Sequence, residues 1–278
     1  VRSILGLGGR LVVAAGLLVL ILAGTGALLV HGPGQVRGWD TDAERWFADH
    51  RAGGLVRLTA DATYLADTWT VIAATAVLAA AVGWWTRRWW LPAGIILLTA
   101  GETAIYEASN ALVDRPRPAV PRLDPGDPLA SFPSGHTAAA VCLYGGLALV
   151  LRRLAADGRF GRRPAGSGSG SGDQGRSAGE GHSASARPWW VGAVLVASVV
   201  AAVAVPVLVG FCRTYRGMHH PSDVIGGAFL GACWLAAVNR VVLGRRGAHD
   251  PRRGGGSSCP QPAARRVPDP ARTAQPSR

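Results

Sequence analysis

The sequence predicts an all-α fold, a polytopic membrane protein built as a bundle of six transmembrane helices. Three observations carry that expectation. Of its 278 residues 49% are hydrophobic, mean hydropathy is +0.21, and the apolar residues gather in blocks. Six blocks approach the roughly 20 residues that a helix needs to cross a hydrocarbon core of about 30 Å. The charge is lopsided, with 29 arginines and lysines against 17 acids and a net charge of +12. Those cations stand in short clusters beside the blocks, as topology signals do, and do not form a nucleic-acid-binding face.

The blocks are 9–30, 65–86, 89–112, 136–151, 189–211 and 223–243. The first is long for a signal peptide and reads as an anchor. After it, "WDTDAERWFADHRAGG" reads as a short interfacial helix whose Trp39, Trp46 and Phe47 suit the headgroup zone. "TRR" joins blocks two and three, "LRRL" follows block four and "GRRG" follows block six. Placing these inside puts both termini in the cytoplasm, with twenty arginines inside and nine outside. Block three carries Glu102 and Glu107, and ionisable residues within a membrane mark function by default. Glu107 either pairs with an arginine of the site or meets water where the span ends. Block four is the shortest and must lean on its neighbours or begin inside the protein. The Gly/Ser-rich segment 155–188 reads as an unstructured cytoplasmic linker, and the basic Pro/Gly-rich stretch 245–278 as a disordered tail. The membrane domain is then 1–244. Four cysteines without CxxC or framework spacing suggest neither structural zinc nor a disulfide scaffold.

With this orientation three polar segments, spread over 110–223, fall on the extracytoplasmic side. "NALVDRPRP" follows block three; its prolines enforce an extended path that holds Arg115 and Arg117 in a fixed loop. "SFPSGH" opens block four, where free N–H groups and the helix dipole favour an anion. Gly135 admits close approach of a ligand, and Ser134 either donates its hydroxyl or caps the helix. His136 is either a proton donor or a satisfied interface histidine. "CRTYRGMHHPSD" lies between blocks five and six. Arg213 offers a second planar fork for phosphate oxygens. Asp223, four residues after His219, either accepts the Nδ1–H of His219 and frees Nε2 as a nucleophile, or only complements the helix dipole. His220 has the less apt spacing to Asp223. Together these groups have the composition of a phosphate-handling site.

The three segments resemble the type 2 phosphatidic acid phosphatases, the membrane branch of the acid phosphatase and vanadium haloperoxidase superfamily. That family carries Lys-x6-Arg-Pro, Pro-Ser-Gly-His and Ser-Arg-x5-His-x3-Asp. Here stand Arg117-Pro118, Pro133 to His136, and Arg213, His219 and Asp223 at the same spacings. The resemblance implies six membrane helices and a metal-independent lipid phosphatase without cofactors. His219 is then the nucleophile that becomes phosphohistidine, Asp223 its orienting partner, and His136 the general acid. Arg117, Arg213, Ser134 and the Gly135 N–H hold the phosphoryl oxygens. Two positions depart from the pattern: Asn110 replaces the lysine of the first motif, and Cys212 the serine of the third. Arg115 is expected to supply the missing charge. The expected substrate is a lipid phosphate or diphosphate: undecaprenyl diphosphate, phosphatidic acid or phosphatidylglycerol phosphate, the first favoured by an outward site. A lipid-phosphate-binding protein weakened by Asn110 is the alternative. A haloperoxidase and a transporter are more distant ones.

Overall fold

The computed structural model describes residues 2–32, 34–160 and 188–243. They form α1 (Arg2–His31), α2 (Gly34–Asp49), α3 (Gly53–Thr63), a 3₁₀ turn (Tyr64–Ala66), α4 (Thr68–Thr86) and α5 (Trp90–Val113). There follow α6 (Gly135–Ala156), α7 (Trp189–Tyr215), α8 (Pro221–Val238) and a π-helical turn (Asn239–Leu243). The chain is an all-α, multi-pass membrane protein. The tail 245–278 and most of the expected linker lie outside the described residues. The linker's first residues do not: α6 runs on to Ala156, and Phe160 packs edge-on against Trp85 and Trp190. A separate short helix, α3, stands where no element was expected.

Among the described residues, α1, α4, α6, α7 and α8 with its π turn are long and apolar enough to cross a membrane. The third expected span, α5, differs in composition. Its 24 residues reach about 36 Å at 1.5 Å each, but the second half carries Glu102, Thr103, Glu107, Ser109 and Asn110. The helix is polar because of where it sits: it packs on α1, α4, α6 and α8, and its polar half leads to the first motif. Glu102 is 2% exposed, while Glu107 faces outward and meets its surroundings instead of a site arginine. Exposed tryptophans, with one tyrosine, mark both interfaces. Trp84, Trp85, Trp89, Trp189 and Trp190 gather at the Arg87–Arg88 end, and Trp39, Trp46, Tyr64 and Trp69 at the motif end.

Glycines set the closest helix contact. A Cβ on Gly227 would lie 2.3 Å from the Ser134 carbonyl oxygen, and one on Gly231 2.8 Å from that of Ala138. A Cβ on Gly226 would lie 2.6 Å from the Phe132 ring. Small residues thus let α8 lie backbone-to-backbone on α6, the usual way helices pack in lipid. The result fixes the start of α6 against the start of α8: the Ser134 N–H donates to the Asp223 carbonyl at 3.0 Å.

Candidate active site

The third motif is shaped by the end of α7. Gly217, at φ 70°, reverses the chain, with Met218 N–H bonded to Arg213 O and Gly217 N–H to Thr214 O. This is a Schellman ending, and it requires the left-handed conformation that glycine adopts freely. Only Met218, His219 and His220 separate it from Pro221, the first residue of α8. His219 is therefore held between two helix ends, 2% exposed. Its Nδ1 lies 2.8 Å from the Ser131 carbonyl oxygen. A carbonyl can only accept, so Nδ1 carries the proton and Nε2 keeps its lone pair. Burial, reinforced by the Arg213 and Arg117 charges and only partly offset by Asp223, lowers the His219 pKa to about 4. The imidazole is neutral at neutral pH.

The acceptor of the His219 proton differs from the expected one. The Asp223 carboxylate stands 3.7 Å from Nδ1, beyond hydrogen-bond range. Its oxygens are taken: Oδ2 accepts from Ser131 Oγ at 2.6 Å and His220 N–H at 2.9 Å, and Oδ1 from Arg115 Nη1 at 2.5 Å. Asp223 thus closes the first turn of α8 and acts on His219 through Ser131 and through its charge. Arg115, expected to supply charge to the phosphate, meets carboxylates first. It is 4% exposed and largely engaged by protein groups, with Nη2 at 2.8 Å from Asp40 Oδ2 and Nη1 at 2.7 Å from Ser222 Oγ. With three of its five N–H groups it binds Ser222 and neutralises the Asp40 and Asp223 carboxylates behind His219.

The second motif opens α6. Ser134 sits at the N-cap position, yet its hydroxyl pairs with Thr137 Oγ1 at 3.0 Å and makes no cap bond. The N–H groups of the first turn, from Gly135 onward, have no intrahelical acceptor. The Tyr106 ring lies over Gly135; a Cβ there would come 3.1 Å from it. His136 is partly buried and within electrostatic reach of Arg213, His219, Arg117 and Asp124, and its ring makes no hydrogen bond among the described residues.

Two arginines retain capacity. Arg213, 6% exposed, makes a long 3.4 Å contact to Asp124, and its buried Nε has no partner. Arg117 is anchored through Nε to the Asp127 carbonyl at 2.6 Å and through Nη1 to that of Met218 at 2.5 Å. Its Nη2 has no protein acceptor among the described residues. Asn110 brings its Oδ1 into the interior, also unpartnered. The unpaired Arg213 Nε–H is a buried donor that a phosphate would satisfy, whereas Asn110 Oδ1 can only accept.

Several supporting residues escaped sequence reading. Arg216 grips Asp124 with two parallel bonds, of 2.5 and 2.7 Å, and pins the loop after the first motif to α7. Burial alone would raise the Asp124 pKa, but the Arg216 fork outweighs it and holds the carboxyl below its ordinary range. Ser131 and Thr137 belong to the motif neighbourhoods and could have been flagged. Asp40 and Glu44 are buried beneath the motif loop, at 1% and 3% exposure; two acids four apart on a surface helix were their only signal.

Residues 89–246 match the model of a family described as the PAP2 superfamily. No curated protein matches the sequence. Among solved structures, the crystal structure of the "first transmembrane PAP2 type phosphatidylglycerolphosphate phosphatase from Bacillus subtilis" shares the fold with a TM-score of 0.62. It is 19% identical, over 85% of this chain and 98% of that one. The family match spans more than half of the 278 residues and takes in every motif position from Asn110 to Asp223, and the chain belongs to the PAP2 superfamily.

Proposed function

We propose that the protein is a lipid phosphatase that works through a phosphohistidine on His219. The observation that carries this reading is the His219 imidazole itself: buried, neutral, its Nδ1–H given to a carbonyl and its Nε2 free, beside the unpartnered Nε of Arg213. In the first step Nε2 forms a bond to phosphorus as the bond from phosphorus to the leaving oxygen breaks, and His136 gives that oxygen a proton. In the second, water adds to phosphorus while His136 takes its proton and the P–N bond breaks, releasing inorganic phosphate. Arg213, Arg117, the Gly135 N–H and Ser134 hold the phosphoryl oxygens as charge shifts onto them. General acid assistance of this kind typically supplies about 10²–10⁴ in rate. No metal enters these steps.

The substrate is a lipid phosphate or diphosphate with its tail along the helices. The arginine distribution supports a site on the extracytoplasmic face, where undecaprenyl diphosphate, phosphatidic acid and phosphatidylglycerol phosphate are the candidates. The unpartnered Asn110, in place of the family's lysine, favours one second reading: a lipid-phosphate binder of weakened activity. The deciding experiment is phosphate release by the detergent-purified protein from the three lipids, in the presence of a chelator, with His219→Ala and Asn110→Lys beside it. Release that His219→Ala abolishes is the expected result. Release from Asn110→Lys alone would establish the binding reading instead.

A further inference from the structure

Helix α2 lies outside the segment that carries the family's motifs, yet it enters the site. Asp40 and Glu44 are four residues apart and so share one face of the helix, while Trp39 and Trp46 remain exposed. Burying two carboxylates is unfavourable unless each finds fixed, charged or hydrogen-bonding partners. Every partner they find belongs to a catalytic segment. Asp40 Oδ1 accepts from the Ser222 N–H at 3.0 Å, and Oδ2 from Ser222 Oγ at 2.5 Å and Arg115 Nη2 at 2.8 Å. Glu44 Oε1 meets Nδ1 of His220, whose Nε2 lies 3.0 Å from the Pro116 carbonyl. Both neighbours of that ring are acceptors, so His220 is an imidazolium and clamps the first-motif loop to α2.

We propose that Asp40 and Glu44 are positioning residues for the nucleophile. The path is continuous. Asp40 holds one arm of Arg115, whose other arm holds Asp223 Oδ1; Asp223 Oδ2 holds the Ser131 hydroxyl, and the Ser131 carbonyl takes the His219 proton. A cavity of about 300 Å³, lined by Arg37, Asp40, Glu44, Arg115, Arg117 and His220, opens beside this network. Arg115 released from Asp40 therefore has space to swing away, and Asp223 and Ser131 shift with it.

The proposal rests on the phosphatase reading, and its test separates the two. The near-isosteric variants Asp40→Asn and Glu44→Gln are compared with the full-length wild type for kcat, KM and unfolding midpoint, using the lipid that the wild type hydrolyses best. A displacement of the nucleophile by about an ångström predicts a roughly 10- to 100-fold fall in kcat with KM nearly unchanged, measured well below the unfolding midpoint, which Asp40→Asn lowers because it strands part of the Arg115 charge. Asp40→Asn is also combined with Arg115→Lys. A shared path predicts that the double variant loses little more than the worse single one. The proposal is overturned if both single variants keep kcat within about threefold of the wild type, or if the losses multiply fully and follow the midpoint downward. A wild type that releases no phosphate from any of the lipids overturns the phosphatase reading first and this one with it.

Discussion

The two ends of the bundle both carry arginines and use them differently. At the end opposite the motifs, Arg88 reaches Asp157 at 2.6 Å, with side chains 39% and 42% exposed, and Arg159 bonds the carbonyls of Trp85 and Thr86. An ion pair so open to solvent contributes little, because water screens it and two long side chains must be ordered to make it. At the motif end, Arg115 is 4% exposed between Asp40 at 1% and Asp223 at 0%. There the pairing offsets a large desolvation cost, and removing one partner strands the other. The motif end also divides its own cations. Arg115 and Arg216 each pair with carboxylates, while Arg213 keeps a buried Nε without a partner and Arg117 an Nη2 without an acceptor among the described residues. In the proposed mechanism the two arginines given to the phosphate are ones with unspent hydrogen-bonding capacity, a property that burial by itself does not confer.

Substitutions break this contrast in graded steps. Arg213→Ala removes a buried Nε donor that has no partner among the described residues, and phosphate release falls roughly 10²–10³-fold. The same change leaves the unfolding midpoint close to that of the wild type; a large drop would place Arg213 among the structural arginines. Acid comes next. With its pKa lowered to about 4, His219 stays unprotonated down to that pH, and below it protonation removes the Nε2 lone pair. The acid limb of kcat/KM therefore lies near pH 4, with activity falling about tenfold per unit below it. A limb near the ordinary histidine value of about 6.5 would show that His219 is more solvated than its burial indicates. The smallest effect belongs to the opposite end. Arg88→Ala and Asp157→Ala change stability by less than about 1 kcal/mol and leave kcat unaltered, as denaturant titration and turnover assays will register.

Much of this was legible beforehand because it depends on local pattern. Apolar length gave the spans, and rigid spacing within each motif placed Arg213, His219 and Asp223 on one short turn. Two kinds of information were missing. Hydrogen-bond partnership is decided by competition: Asp223 was assigned to His219, but Ser131, His220 and Arg115 occupy its oxygens and leave the proton to a main-chain carbonyl. Arg115 is expected to meet phosphate on charge alone, and no sequence rule announces that Asp40, 75 positions earlier, will hold one of its arms. Composition also could not say which face of α5's polar half turns inward: Glu102, Ile105, Ser109 and Val113 do, while Glu107 is exposed.

The contribution of α2 has a consequence for dissecting the protein. A fragment cut to residues 89–246 would contain all three motifs and would still look complete on paper. It would leave Arg115 with half its counter-charge and His220 without its carboxylate. Chimaeras that transplant the motif-bearing half onto another amino-terminal scaffold face the same deficit unless the new scaffold brings two acids one helical turn apart. The smallest transferable unit of this active site therefore begins before its first signature residue, at the helix that enters from outside the motifs.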